Sequence, residues 1–429
     1  MEKTDIIVIG AGAAGLMAAG RAAEKGARVL LLEHQEKPGR KLAITGKGRC
    51  NLTNSIDLPE FLKHFQPNGR FLRQAFSAFF SKQTIDFFNQ QGVPTVVERG
   101  GRVFPSSGKA MDVVNALVSW NEKNGVVIQK RTSAEELLLE NNVIKGLKIC
   151  PTSSHKGKII KNKTMSLIIK ADKVIIATGG ISYPATGSTG DGYRLAESVG
   201  HSIVPVRPAL VALETSDKRS EKIQDTALKN VNVIAWVNGK KQAEAFGEMT
   251  FMSFGLSGPV ILTLSGGIVD ALNEGGKVFI TIDLKPALDP KKLDARLLRE
   301  LGQHGKKQFQ TIMKELLPKN MIDFCLDELK ISPLKPCNQI SAEERKNLRV
   351  WLKELRFEIT GYRPFSEAII TAGGVRVQEI NPKTMESRKV KNLFFAGEVL
   401  DIQADTGGYN LQAAFSTGWL AAESAVNTP

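Results

Sequence analysis

The chain has 429 residues, enough for two or three domains, and its 42% hydrophobic and 24% charged residues are the balance of a globular protein with a packed core. A net charge of +14 attracts polyanions, yet the basic residues are spread along the chain. The denser runs, 156–163 and 277–292, lack the interleaved aromatics of a single-strand-binding groove, so nucleic acid is not the expected partner. The cysteines Cys50, Cys150, Cys325 and Cys337 form no CxxC pair, which excludes a zinc ribbon or a thioredoxin-type dithiol and fits a reduced, cytoplasmic chain.

The apolar run Ile6–Ile9 suits a strand buried on both faces. Asp5 and the glycine spacing speak against reading Ile6–Gly20 as a signal peptide. Next come Gly10-Ala11-Gly12-Ala13-Ala14-Gly15, a helical stretch Leu16–Lys25, and a second strand, Val29–Leu32, ending on Glu33. Gly10 permits a tight turn, Gly12 lets the backbone approach a pyrophosphate, and Gly15 lets helix and strand pack closely. The helix start, with Ala13 and Ala14, offers N–H donors to phosphate, and Glu33 stands where an acidic side chain grips a ribose hydroxyl. Strand, glycines, helix, strand and acid together read as a dinucleotide site.

The stretch after Glu33 says which dinucleotide. Gly39-Arg40-Lys41, then Thr45-Gly46-Lys47-Gly48-Arg49-Cys50-Asn51, resembles the loop of FAD enzymes of the glutathione-reductase-like class. Arg40, Lys41 and Arg49 can offset phosphate charge, while Gly46, Cys50 and Asn51 lie where such a loop passes the cofactor. Lys173–Ala177 reads as a strand running into Thr178-Gly179-Gly180, like the turn that returns to the cofactor in that class. From about His201 the pattern changes: Val231–Val237 and Val278–Leu284 alternate as half-buried strands do, as in an antiparallel barrel. The uncharged stretch Thr250–Val269 holds too many glycines and serines for a membrane span and reads as buried soluble structure. Asp289-Pro290 opens a helix with Leu293, Leu297 and Leu301 on one face, two more follow, and Ser341 with Glu344 is a capping box for a fourth. Thr371-Ala372-Gly373-Gly374 either borders the cofactor or is a tight turn. Leu393–Ala396 runs into Gly397-Glu398 and Asp401, and Gly407-Gly408-Tyr409-Asn410-Leu411-Gln412 opens the last helix. Glu398 is expected on the ribityl chain, with Asp401, Tyr409, Asn410 and Gln412 nearby.

These stretches, with Gly101–Ala110, Ala177–Gly192, Phe254–Pro259, Ala368–Val375 and Phe394–Ser416, resemble the BaiN/YhiN-type flavoproteins, also called the aminoacetone-oxidase family of NAD(P)/FAD-dependent oxidoreductases. The resemblance implies an α/β fold: a discontinuous Rossmann-like, glutathione-reductase-type FAD domain interrupted by a β-barrel and a small helical cluster. The expected boundaries are 1–195 and 357–429 for the FAD domain and 196–356 for the insert, with barrel at 200–286 and 333–356 and helices at 287–332.

Non-covalent FAD is therefore the expected cofactor, Ala177, Thr178, Gly179 and Gly397 included in its site, with NAD(P)H as a transient donor to a small-molecule substrate. The chain has a single GxGxxG, so NAD(P)H has no Rossmann domain of its own. Two alternatives stay open: an oxygen-using oxidase of a small amine, and an RNA-associated flavoprotein. Arg102, Ser107, Lys109, Tyr183 and Tyr409 are the substrate-site candidates, the null being that such residues meet cofactor phosphate or cap a helix. The histidines His34, His64, His155, His201 and His304 show no metal-ligand spacing, so no metal is expected and each reads as structural or solvent-facing.

Overall fold

A computed structural model describes residues 4–155, 158–216 and 218–428, so the start of the basic run 156–163 and the side chain of His155 lie outside the described residues. The chain forms two compact units, Met1–Pro208 with Ile369–Pro429, and Ala209–Ala368. Both divisions fall later in the chain than the sequence boundaries at 195 and 356. At the first, strand Ile203–Ala209 pairs with Ile370–Val375 and so stays with the first unit.

The first unit is built on a parallel sheet. Strand β1 (Thr4–Ile9) lies between β2 (Val29–Leu32) and Leu167–Ile176, flanked by Val127–Gln129 beyond β2 and Leu393–Phe395 beyond Leu167–Ile176. Every residue of β2 is buried, as are Ile6 to Ile9, which is why these strands read as unbroken apolar runs. The start of Leu167–Ile176 turns from parallel to antiparallel pairing with Val143–His155, which also pairs with Thr132–Glu140.

Helix α1 (Ala13–Glu24) is cramped at its start, since a Cβ on Gly15 would run into the Gly10 carbonyl oxygen. The C-terminal helix Tyr409–Asn427 approaches just as closely: a Cβ on Gly418 would strike the Ala14 carbonyl oxygen. Two ends of the chain are thereby locked together at the dinucleotide turn.

The second unit is a closed six-stranded antiparallel barrel, in order Leu213–Thr215, Gly255–Ser257, Lys240–Met252, Ala227–Val237, Val278–Asp283 and Leu355–Tyr362. Its helices Pro290–Gln303, Phe309–Leu316, Lys319–Leu329 and Ala342–Lys353 bury the expected stripes, including Leu293, Leu297 and Leu301. Ser341 and Glu344 form the expected capping box. The uncharged 250–269 stretch is strand, turn and the start of a helix, Pro259–Asn273, whose Val260, Ile261, Leu264 and Ile268 are buried. Among the described residues no helix is long and apolar enough to cross a membrane.

Candidate active site

In the first unit the polar side chains form successive groups: the β1–α1 turn, the contacts of Glu398, and the segments beside the start of the C-terminal helix. Gly10 sits at φ +99°, a conformation that favours glycine, and a Cβ there would lie 2.7 Å from the Ala177 carbonyl oxygen. Gly12 differs: a Cβ would meet nothing within 4 Å, and no side chain caps the helix that starts at Ala13 and Ala14. Open space in front of uncapped helical N–H groups is an anion cradle. Glu33, buried at the end of β2, accepts the Ala11 N–H at 3.0 Å and the Gln35 N–H at 2.8 Å. It therefore also braces the turn.

The second group is a network. Helix α2 (Arg40–Gly48) is broken at Thr45, Gly46 and Lys47, and carries Lys41 into contact with Glu398 at 2.7 Å and the Ser182 hydroxyl at 2.6 Å. Glu398 Oε1 accepts the Ser182 hydroxyl at 3.2 Å and the Thr371 N–H at 2.8 Å. The Thr371 hydroxyl accepts the N–H groups of Ile181 and Ser182 at 2.9 and 3.0 Å. The sequence singled out Lys41, Glu398 and the 371–374 segment but not Ser182. Its signal lay one residue before Tyr183, inside a family stretch. Thr178 and Gly179 lead into this network, with a Gly179 Cβ lying 3.9 Å from Glu398 Oε2. Gly397 donates its N–H to the Thr417 hydroxyl at 2.9 Å.

The third group is a clasp. Asn68 donates to the Asp401 carboxylate at 2.9 Å and to its carbonyl at 2.7 Å, Gln403 donates to the Gln66 carbonyl at 2.9 Å, and His64 Nδ1 meets Asp405 Oδ2 at 2.9 Å. With the antiparallel bridge Phe65 to Ala404, the segments 64–68 and 401–405 run side by side in one register. Burial raises the Asp401 carboxyl above the usual range, against the pull of Asn68, Arg207 and Arg376. Tyr409 is buried, stacked on His64 at 4.0 Å and edge-on to Phe61 at 4.8 Å, and burial pushes its hydroxyl up to about 12.

The other expected residues have protein partners of their own. Gln412 is fully buried: its amide donates to the Phe79 carbonyl and the Ser416 hydroxyl and accepts from Thr84, so it is structural. Asn410 spends its side chain on Ala404 and Asp405, shaping the preceding turn. Arg49 is half-exposed, paired with Glu98 and laid over Phe104 at 4.3 Å, so its charge is already balanced. Arg40 is exposed and bonds Gln35 at 2.6 Å. Arg102 is exposed and bonds the Arg99 carbonyl. Ser107 bonds Asp112 at 2.6 Å and receives the Lys109 N–H, so Ser107 and the exposed Lys109 belong to the start of helix Ala110–Lys123. Tyr183 is half-buried at φ +50°, strained for an aromatic residue, one position from Ser182. Cys50 is fully buried and its thiol is pushed up to about 12 by burial, against the Thr45 hydroxyl, which keeps it out of thiolate chemistry. In the second unit Glu300, His304 and Glu315 bring ligand atoms within 4.8 Å of one another, a grouping the histidine spacing did not suggest. Arg296 and Arg299 stand 3.7 and 3.9 Å from Glu300 and already offset its charge.

Buried side-chain atoms without partners occur here and elsewhere in the chain, Thr226 Oγ1 of the second unit among them. Among the described residues Asn51 Oδ1, Gln35 Nε2 and the Tyr193 hydroxyl are buried and unbonded. All three belong to segments that line the turn, the loop or the network, and together with the open space at Gly12 they fit a long polar cofactor.

The profile described as HI0933-like protein Rossmann domain matches residues 4–424. The chain belongs to the HI0933-like family. It is thus an FAD-dependent oxidoreductase by family, as its resemblance to BaiN/YhiN-type flavoproteins implied. It is 32% identical over 424 residues to the 3-dehydro-bile acid delta(4,6)-reductase of Clostridium scindens, covering 98% of this chain and 99% of that one. It is 31% identical over 427 residues to the ribosomal RNA dihydrouridine synthase of Escherichia coli, covering 99% of each. Among solved structures a 3-ketosteroid delta1-dehydrogenase from Sterolibacterium denitrificans superposes with a TM-score of 0.56 at 13% identity, over 99% of this chain and 100% of that one, a likeness of fold.

Proposed function

We propose that this chain uses FAD to add two hydrogens across a carbon–carbon double bond conjugated to a carbonyl. The observation that carries this reading is that two relatives matched end to end are named for reductions of that one kind. A delta(4,6) system beside a 3-oxo group and the C5=C6 bond of uracil are both enones in this sense. Bound flavin supplies the two electrons and the hydride. The uncapped turn at Gly10, Gly12, Ala13, Ala14 and Gly15 takes the diphosphate, and Glu33 the adenosine ribose. Asn51, Ala177, Thr178, Gly179, Gly397 and Glu398 line the remainder, with Lys41 holding Glu398 in place. NAD(P)H is the donor this reading expects, docking without a Rossmann domain of its own.

The relative named for ribosomal RNA favours a uracil ring carried on RNA over a free steroid, and a net charge of +14, though spread along the chain, is compatible with a polyanion. The test is nucleoside mass spectrometry of ribosomal RNA from cells lacking the gene. Dihydrouridine should disappear and return with the wild-type gene, and RNA retention by the purified protein should fall steeply between about 50 and 200 mM salt. Anaerobic flavin bleaching by NAD(P)H, discharged by rRNA and not by a 3-oxo-4-ene steroid, supports the same reading. Discharge by the steroid alone moves the substrate to the second class. Discharge by air alone, with both enones untouched, overturns the reading in favour of an oxidase.

A further inference from the structure

An alkene reduced in this way gains a hydride at one carbon and a proton at the other, and nothing in the sequence named the source of the proton. We propose that His64 is that proton donor, held in position by Asp405; the inference rests on the function proposed above.

Three observations place it. Asp405 Oδ2 lies 2.9 Å from His64 Nδ1, and a carboxylate accepts, so Nδ1–H points at Asp405 and Nε2 is left for exchange. The imidazole face lies on the Tyr409 ring at 4.0 Å with 16° between planes, and Tyr409 packs edge-on against Phe61, so that face of the imidazole is supported. The His64 side chain is 29% exposed, and among the described residues Nε2 has no partner. It is therefore both oriented and reachable.

The remaining described histidines do not offer this. His201 is buried with both ring nitrogens engaged, by Glu379 at 3.0 Å and Ser387 at 2.8 Å. His34 lies between Asp191 and Glu33, the residue assigned to the adenosine ribose. His304 belongs to the second unit. His64 instead stands in the third group, where the flavin ring is read to be. It is stacked on the first residue of the C-terminal helix, and the Gly407 carbonyl just before that helix accepts from Asn54 at 3.2 Å. The charged groups around it are Asp405 on the facing segment and Glu60 and Lys63 on its own, the last two paired at 2.6 Å.

The step balances. Bound reduced flavin would supply the hydride to the carbon β to the carbonyl and be left oxidised. The α carbon takes the Nε2 proton of the His64 imidazolium, whose Nδ1–H stays on Asp405; the π bond is replaced by two C–H bonds, and the resulting neutral imidazole regains its Nε2 proton from solvent. Positioned general acids of this kind contribute roughly 10²–10⁴-fold.

The test uses the FAD-loaded full chain, reduced anaerobically with dithionite and mixed with rRNA or a 3-oxo-4-ene steroid, whichever the wild type reduces. His64→Gln should slow reoxidation by substrate by roughly 10²–10⁴-fold, recover partly with added imidazole, and keep its FAD content and its rate of reoxidation by air. Without substrate, nitrogen NMR at a pH high enough to deprotonate the ring should show the neutral imidazole as the Nδ1–H tautomer in wild type and as a mixture in Asp405→Asn. Reoxidation of His64→Gln by substrate at the wild-type rate overturns the donor role while the proposed function stands. A wild type that reduces neither enone overturns the function and the donor role with it. A tautomer indifferent to Asp405→Asn overturns the positioning.

Discussion

Gly12 and Gly15 stand three positions apart in one motif, and one added methyl should act on them in opposite ways. At Gly12 the new Cβ meets only open space, so Gly12→Ala should leave the melting temperature of the FAD-free protein unchanged or slightly raised. Flavin affinity should nevertheless fall about ten-fold or more, read by fluorescence of released FAD, because the methyl occupies the phosphate's approach. At Gly15 the same methyl meets the Gly10 carbonyl, and Gly15→Ala should lower the melting temperature before cofactor is considered. Equal flavin affinity in Gly12→Ala and wild type would remove the phosphate from this turn. Glu379 gives a second prediction at this scale. Burial works to raise its carboxyl, but Lys389 at 2.7 Å and the N–H and hydroxyl of Ser202 outweigh it and bring it down to about 2. A carboxyl lower in the folded state contributes stability above its unfolded pKa, and that stability is lost as pH falls through the folded value. Denaturant titrations should show the wild type losing roughly 1–3 kcal/mol between about pH 5 and pH 2, a slope that Glu379→Gln flattens.

At the scale of elements, the start of the C-terminal helix decides most. Gly408 caps it at φ +98°, and a Cβ there would strike the Thr53 carbonyl oxygen. If these helical N–H groups face the flavin pyrimidine edge, they stabilise the charge gained on reduction by about 1–2 kcal/mol. Gly408→Ala should push the helix start away from Thr53 and lower the flavin midpoint potential, measured against a dye of known potential. An unchanged potential with FAD fully bound would mean that this helix does not tune the flavin. The helix itself was legible in the sequence, as were β1, α1 and β2, because each is a local pattern of glycines, caps and periodicity. The side-chain ties of Asn410 and Gln412 were not. Their partners Ala404 and Phe79 lie in a turn and in a helix end that no periodicity marks, so a polar residue at a helix start read as a ligand contact when it is a brace. The clasp of 64–68 on 401–405 was hidden for the same reason. Its partners are more than three hundred residues apart, and each side alone looks like irregular loop.

At the scale of the whole chain, composition and motif order led to the two-unit architecture, because a barrel's alternation and a parallel strand's apolar run differ in period. The first division falls later than the change of pattern near His201 because strand Ile203–Ala209 pairs with Ile370–Val375 and so stays with the first unit. That pairing, like the neighbours Leu167–Ile176 and Leu393–Phe395, joins segments far apart in the chain. The ribosome delivers Thr4–Ile9 about four hundred residues before Tyr409–Asn427. At roughly 5–20 residues per second the interval is on the order of tens of seconds. Through it the dinucleotide turn emerges without the helix that closes on Ala14 and without the carboxylate that fixes Lys41. The barrel unit, continuous in sequence, can fold within that wait. Flavin binding of the kind proposed then waits for the C-terminal helix, and a message cut short before Tyr409 yields a chain with an intact glycine motif that lacks the helix closing on Ala14.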